Sequence, residues 1–199
     1  MDGRDGSGGN RVAVNVLGTM GAVFWSIQLL PQLYINWRKK DTTGLQPSMM
    51  LLWAFAGLPL GVHNILADEN VALQVQAQIL TLLSLLTWSQ VMFYGHKWSL
   101  SKSTIVVLLI ALAFGAVEAA IVCGIKYGTK EQVPKWTLDL FASLAAAGLG
   151  MGVLRHYYDI YTHRSVRGIS FFFVGLDAAG DLTSLISVGE SSLPSISRP

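Results

Sequence analysis

The sequence predicts an all-α fold, a polytopic bundle of six membrane-spanning helices, on three observations. The chain is 52% hydrophobic with a mean hydropathy of +0.47. Only 13% of its residues are charged, against about 25% in an average soluble domain. The deficit runs the whole length of the chain, so no soluble domain sits beside one apolar anchor. This excludes an ordinary cytosolic enzyme and a disordered chain. The net charge of +2 is too small for a nucleic-acid-binding surface. Cys123 is the single cysteine, so no internal disulfide forms, and no Cys/His spacing suggests zinc.

A helix needs about 20 mostly apolar residues to cross a bilayer. Six stretches qualify: Val12–Trp37, Ser48–Ala67, Ala72–Tyr94, Thr104–Tyr127, Trp136–Tyr158 and Ile169–Val188. The third and fourth are uninterrupted. The other four carry Pro, Gly and polar residues, and opened backbone is tolerated only against protein or water. They are therefore the expected working helices. The stretch Val12–Trp37 is too long for the apolar region of a signal peptide and lacks a small-residue cleavage site.

The connections carry an orientation signal. Lys and Arg number eight on the first, third and fifth connections and six on the other side, counting both tails. The positive-inside rule places the first set, which includes Arg38-Lys39-Lys40, in the cytosol and the amino terminus in a lumen or outside. Trp37, Trp98 and Trp136, at span ends, read as interfacial anchors. Gly57 with Gly61, and Gly148 with Gly152, read as sites of close helix approach.

The chain also repeats itself. Leu30-Pro31-Gln32-Leu33-Tyr34, a basic run and Thr43-Gly44-Leu45 lead into an apolar span. Leu154-Arg155-His156-Tyr157-Tyr158, then His163-Arg164 and Arg167-Gly168-Ile169-Ser170, do the same 124 residues later. Both loops fall on the same expected side, so the copies run parallel. The span Thr104–Tyr127 then acts as a linker. Parallel repeats occur in several transporter folds, with the solute near the midplane between the halves. The organisation expected is a Gly-rich tail over residues 1–11, a first three-helix repeat over 12–95, a linker helix with its loops over 96–135, a second repeat over 136–188 and a polar tail over 189–199.

Pro31-Gln32 with Asn36, the basic run and Thr43-Gly44-Leu45 resembles the PQ-loop repeat of the cystinosin and lysosomal or vacuolar basic amino acid transporter family, with the SWEET sugar transporters as distant relatives. Tyr157-Tyr158-Asp159-Ile160 through Ser170, with Leu176-Asp177-Ala178-Ala179-Gly180-Asp181, resembles the second repeat of the fungal members. The resemblance covers roughly residues 14 to 188. It departs from the family pattern twice: six spans stand where the family has seven, and Arg155-His156 stands where Pro-Gln is usual.

The residues themselves suggest roles. Pro31 removes a helix hydrogen bond and clashes with the preceding turn; with Gln32 it reads as a gating hinge, or else as a static kink. Gln28 can serve the carbonyls that the kink frees, and is a candidate solute contact. Asp177 and Asp181 lie one turn apart on one helix face. A carboxylate at a helix centre costs roughly 2.5–3.5 kcal/mol on insertion scales, so the pair reads as a proton-coupling site, or as solvated near a cytosolic end. The resemblance links an Asp of this sixth helix to proton coupling, and Asp177 matches it best. His63 and Asn64 are candidate solute contacts, with Gln74, Gln76 and Gln78 as further polar groups. Glu118 is expected to pair with Lys126 by snorkelling.

The function expected is transport of a small solute. The resemblance implies proton-coupled export of a basic or cystine-like amino acid from a vacuole or lysosome. The alternative is a non-transporting membrane adaptor or receptor, or an inactive truncated product. No nucleophile–base pair, metal-ligand spacing or phosphate-cradling loop points to an enzyme. The partners expected are the solute, protons and membrane lipid, with no nucleic acid, no cofactor and a possible homo-oligomer.

Overall fold

The structure, a computed structural model, describes residues 5–128, 133–166 and 168–192, with side chains described from 14 to 189 within those ranges. The leader residues 1–4, Lys130, Arg167 and the end of the polar tail from 193 onward lie outside the described residues. Helices account for nearly all of the rest: α1 (Asp5–Ile27), α2 (Leu29–Lys39), α3 (Pro47–Leu66), α4 (Val71–Gln90), α5 (Leu100–Gly128), α6 (Lys135–His163) and α7 (Phe171–Ser192). A π-helical turn, Val91–Gly95, continues α4. Six segments are long and apolar enough to cross a membrane. They coincide with the six expected spans, to within five residues at each end.

Both expected tails are shorter than the sequence suggests. Residues 5–11 are the first turns of α1, and α7 runs on through Glu190 to Ser192. An apolar span supplies the costly helix nucleus, after which each added residue needs little. Even a glycine then costs only about 1 kcal/mol.

Pro31 does interrupt its helix. α1 ends at Ile27, whose carbonyl the proline cannot serve, and α2 begins after Gln28. Pro59 leaves α3 continuous. Both first-loop and second-loop helices end the same way: Lys40 and Arg164 take left-handed backbone, with φ of 54° and 51°, and Gly44 and Gly168 follow at 88° and 77°. These pairs are 124 residues apart, so the repeat read in the sequence is also a repeat of backbone geometry. In the first loop Asp41 Oδ1 accepts from Thr43 N at 2.9 Å and from Thr43 Oγ1 at 2.7 Å. The Thr43 hydroxyl and amide hold the exposed Asp41 carboxyl below its ordinary value. The turn therefore persists in mild acid and is released only as pH falls through that lowered value.

The two repeats pack across each other. α3 lies along α6 and α1 along α7, while α4 bridges α3 and α1 within the first repeat. Small residues make the seams close. Gly148 meets Ala56, and Gly18 and Gly21 face Ser187 and Ser184. The apolar core joins Met49, Met50 and Trp53 of α3 to Leu80, Leu85 and Trp88 of α4, with Phe173 of α7 at 5.6 Å from the Trp53 ring.

α5 docks on α3 and α4 through a polar pair absent from the sequence-based expectation. Glu118 does not snorkel toward Lys126; it is buried, and its Oε1 accepts from Gln78 Nε2. Gly61 of α3 gives this pair its room, since a Cβ there would meet both groups. Glu118→Leu should leave the Gln78 amide without its acceptor and lower stability by about 1–2 kcal/mol. Glu118→Gln retains a partner and should stay within half of that loss. Thermal unfolding of the purified protein in detergent measures both.

Candidate functional site: a cavity between the repeats

The crossing of the repeats leaves a cavity of about 350 Å³ between them, within the range of small-molecule sites. Gln28 and Trp25 come from the first span, Trp53 and Asn64 from α3, Gln76 from α4, and Asp177 and Asp181 from α7. Four of the residues singled out by sequence, Gln28, Asn64, Asp177 and Asp181, are thus brought together from three helices. Their spacing follows from helix geometry. Asp177 and Asp181, and likewise Leu60 and Asn64, lie four apart on single faces, and each pair lines the cavity.

His63 is not among the lining residues. One position from Asn64 is about 100° around the helix, and its Nδ1 lies 3.0 Å from the Leu138 carbonyl of α6. It belongs to the α3–α6 seam. Gln74 and Gln78 are also engaged elsewhere, Gln74 Nε2 donating to the Glu69 carbonyl at 2.7 Å and Gln78 to Glu118. Gln76 is the member of that trio that reaches the cavity.

Trp25 and Trp53 form the aromatic walls, and neither was picked out from the sequence. The signal was the repeat itself: the 124-residue offset superposes Trp53 on Asp177, placing an indole and a carboxylate at equivalent points of α3 and α7. Each indole is seated on a glycine of the opposite repeat. A Cβ at Gly180 would meet the Trp25 ring and one at Gly152 the Trp53 ring, at 2.6 Å and 2.5 Å. Trp53 Nε1 also donates to the Leu149 carbonyl at 3.2 Å. The rings are thereby fixed in orientation.

Pro31 and Gln32 sit outside the cavity, at the end where the two loops meet. Gln32 is 1% exposed and joins the repeats. Its Nε2 donates to Asn36 Oδ1 and to the Gly168 carbonyl, both at 2.8 Å, and its Oε1 accepts from Ser170 N at 2.8 Å. Gln90 Nε2 adds a bond to the Leu33 carbonyl at 3.1 Å. The position equivalent to Gln32 in the second repeat is His156, whose Nδ1 is buried without a partner. The fastening is therefore one-sided.

A second hollow of about 500 Å³ shares Trp25, Asn64 and Leu73 with the first, and Asn15, Glu69, Asn70 and Ser187 bound it at the far end of the bundle. The two hollows share these walls, so the cavity adjoins a vestibule at the end away from the loops, while the Gln32 bonds fasten the repeats at the loop end.

Comparison with known proteins agrees with the repeat. The model of the PQ loop repeat matches residues 13–73 and 157–190. The chain is 36% identical over 179 residues to the uncharacterized protein C2E12.03c of Schizosaccharomyces pombe, an alignment covering 90% of this chain and 63% of that one. It is 33% identical over 179 residues to the uncharacterized membrane protein YDR090C of Saccharomyces cerevisiae, covering 88% and 57%. The chain thus spans less than two thirds of the length of either relative. With a match to the PQ loop repeat on each side of one cavity and six helices fit to span a bilayer, this chain carries the PQ loop repeat in both halves of a multi-pass membrane bundle.

Proposed function

We propose that this protein is a proton-coupled transporter of a small solute, working in export from a vacuole or lysosome, with basic or cystine-like amino acids and their close relatives as the class to test. The observation that carries the reading is the central cavity: two carboxylates one turn apart, lined by both repeats, with a vestibule beside it at one end and the Gln32 bonds across the repeats at the other. A transporter needs a midplane site at the repeat interface and two ends that open in turn. Intramembrane carboxylates are costly and are a usual proton-relay device.

The basic loops assign the fastened end to the cytosol by the positive-inside rule, so the vestibule faces the lumen. In the proposed cycle Asp177 takes a proton from an acidic lumen, the solute enters past Asn64, and the halves rock about the Gln28–Pro31 break. Opening of the Gln32 fastening then releases both to the cytosol. Asp181 stays beside Asp177 as the second acidic group of the wall.

Uptake of labelled lysine, arginine and cystine, and of their decarboxylated analogues, into proteoliposomes with an imposed pH gradient tests this. Wild-type vesicles should accumulate at least one of them, and the gradient should raise the rate at least tenfold. Asp177→Asn should lose that acceleration while keeping solute exchange at equal pH. Full gradient response in D177N would remove Asp177 from the coupling. No accumulation by wild type of these amino acids or of their decarboxylated analogues would overturn the transporter reading.

A further inference from the structure

The donor and acceptor inventory of the cavity narrows the solute further than its two acids do. We infer that this cavity is selective for an organic cation that carries no carboxylate, an amine or guanidine rather than the corresponding amino acid; the inference rests on the reading of the cavity as a solute site.

Four observations carry it. First, among the described residues the titratable ones lining the cavity are Asp177 and Asp181, with no Lys, Arg or His beside them. Second, Gln28 is 3% exposed, lines the cavity and leaves its Oε1 buried without a donor. That Oε1 is covered in this arrangement, and a ligand N–H would satisfy it once the side chain turns into the cavity. Third, the two walls facing α7 are indoles held in place by Gly180 and Gly152, and an indole face attracts a cation. Fourth, the helix amino termini nearest the cavity are already served: at α4, whose Leu73 lines it, Ala72 N and Leu73 N donate to Asn70 Oδ1. At the start of α7, Ser170 N donates to Gln32, Phe173 N to Ser170 Oγ and Val174 N to the Ser170 carbonyl.

An amino acid brings an ammonium or guanidinium and an α-carboxylate together. The positive group finds carboxylates, an amide oxygen and aromatic faces. The α-carboxylate must be desolvated beside two acids with no cation to receive it. Asn64 Nδ2 is engaged in part, donating to the Leu73 carbonyl at 2.8 Å. A decarboxylated analogue keeps every favourable contact and loses the unfavourable one. The asymmetry of the repeats supplies this chemistry, since the acids stand on α7 alone while the equivalent positions on α3 are Trp53 and Gly57.

Matched pairs isolate the carboxylate: lysine with cadaverine, and arginine with agmatine. Equilibrium dialysis of each labelled compound against the purified full chain in detergent reads binding without requiring transport. Each amine should bind at least tenfold more tightly than its amino acid. Asp181→Asn should weaken the amines at least tenfold and leave the thermal unfolding midpoint close to wild type; should D181N fail to fold, Asp177→Asn serves in its place. Equal or tighter binding of the amino acids, or no binding of either amine, would overturn the inference. The proteoliposome assay separates this from the wider reading: vesicles that accumulate lysine but not cadaverine would refute the selectivity and leave the transporter standing.

Discussion

Gly168→Ala should be the most damaging small substitution in this protein, lowering its stability by about 2–5 kcal/mol. Two costs add. Gly168 has φ of +77°, a left-handed conformation that costs a residue with a Cβ about 1–2 kcal/mol. Its added methyl would also collide with the backbone of Gly44, Leu45 and Thr43 in the other loop. Backbone does not escape by changing rotamer, so the loops must part, and overpacking of this kind typically costs about 1–3 kcal/mol. The Gln32 bonds to Gly168 and Ser170 cross the same contact and weaken with it. Gly175→Ala is the control, because a Cβ there meets nothing within 4 Å; its effect should stay within about 1 kcal/mol. Thermal unfolding of the two variants in detergent, beside wild type, measures the difference. A midpoint for Gly168→Ala equal to that of Gly175→Ala would show that the loops do not press on each other in the membrane protein.

That contact illustrates what local sequence can and cannot convey. The six spans were legible because a bilayer demands about 20 apolar residues wherever it is crossed, and composition reports this directly. The repeat was legible because Pro31-Gln32, the basic runs and the two glycines are local patterns. Partnership between helices is another matter. Gln78 and Glu118 are 40 residues apart and on different spans, so Lys126, two turns from Glu118 in sequence, was the nearer but wrong choice. His63 and Asn64 are neighbours in sequence, yet a turn of about 100° per residue sends one to a helix seam and the other to the cavity. Pro31 and Pro59 look alike as helix-breaking residues. One interrupts its helix and the other does not, because the lost bond is local while the packing that holds a kinked helix straight is not. The aromatic walls were missed for a different reason. Trp25 and Trp53 are apolar enough to pass as ordinary span residues until the offset of the repeat sets Trp53 against Asp177.

The largest functional effect is expected from Gln32→Leu. Two bonds on one buried side chain hold the second loop to α2, and a third, to Asn36 within α2, orients that side chain. Leucine keeps the volume, yet leaves the Ser170 N–H, the Gly168 carbonyl and Asn36 Oδ1 without their partner, and Asn36 Nδ2 is already without one. His156, at the equivalent place in the second repeat, offers no matching bond from its buried Nδ1, so the loss is not shared. Each buried polar group left unmade costs about 1–3 kcal/mol, so the two that cross between the loops together exceed the 1.4 kcal/mol of a tenfold change. The fastened arrangement should therefore lose about 2–4 kcal/mol relative to one in which water reaches these groups from the loop side. The readout is a cysteine in the cavity wall. With Cys123 replaced by serine, Val153→Cys should react with a membrane-impermeant maleimide from the vestibule side only. Adding Gln32→Leu should open reaction from the loop side, by at least tenfold in rate. A folded Q32L protein whose loop-side reactivity stays at the wild-type level would make Gln32 a static strut. The gate would then have to be sought in the Gly44–Gly168 contact alone.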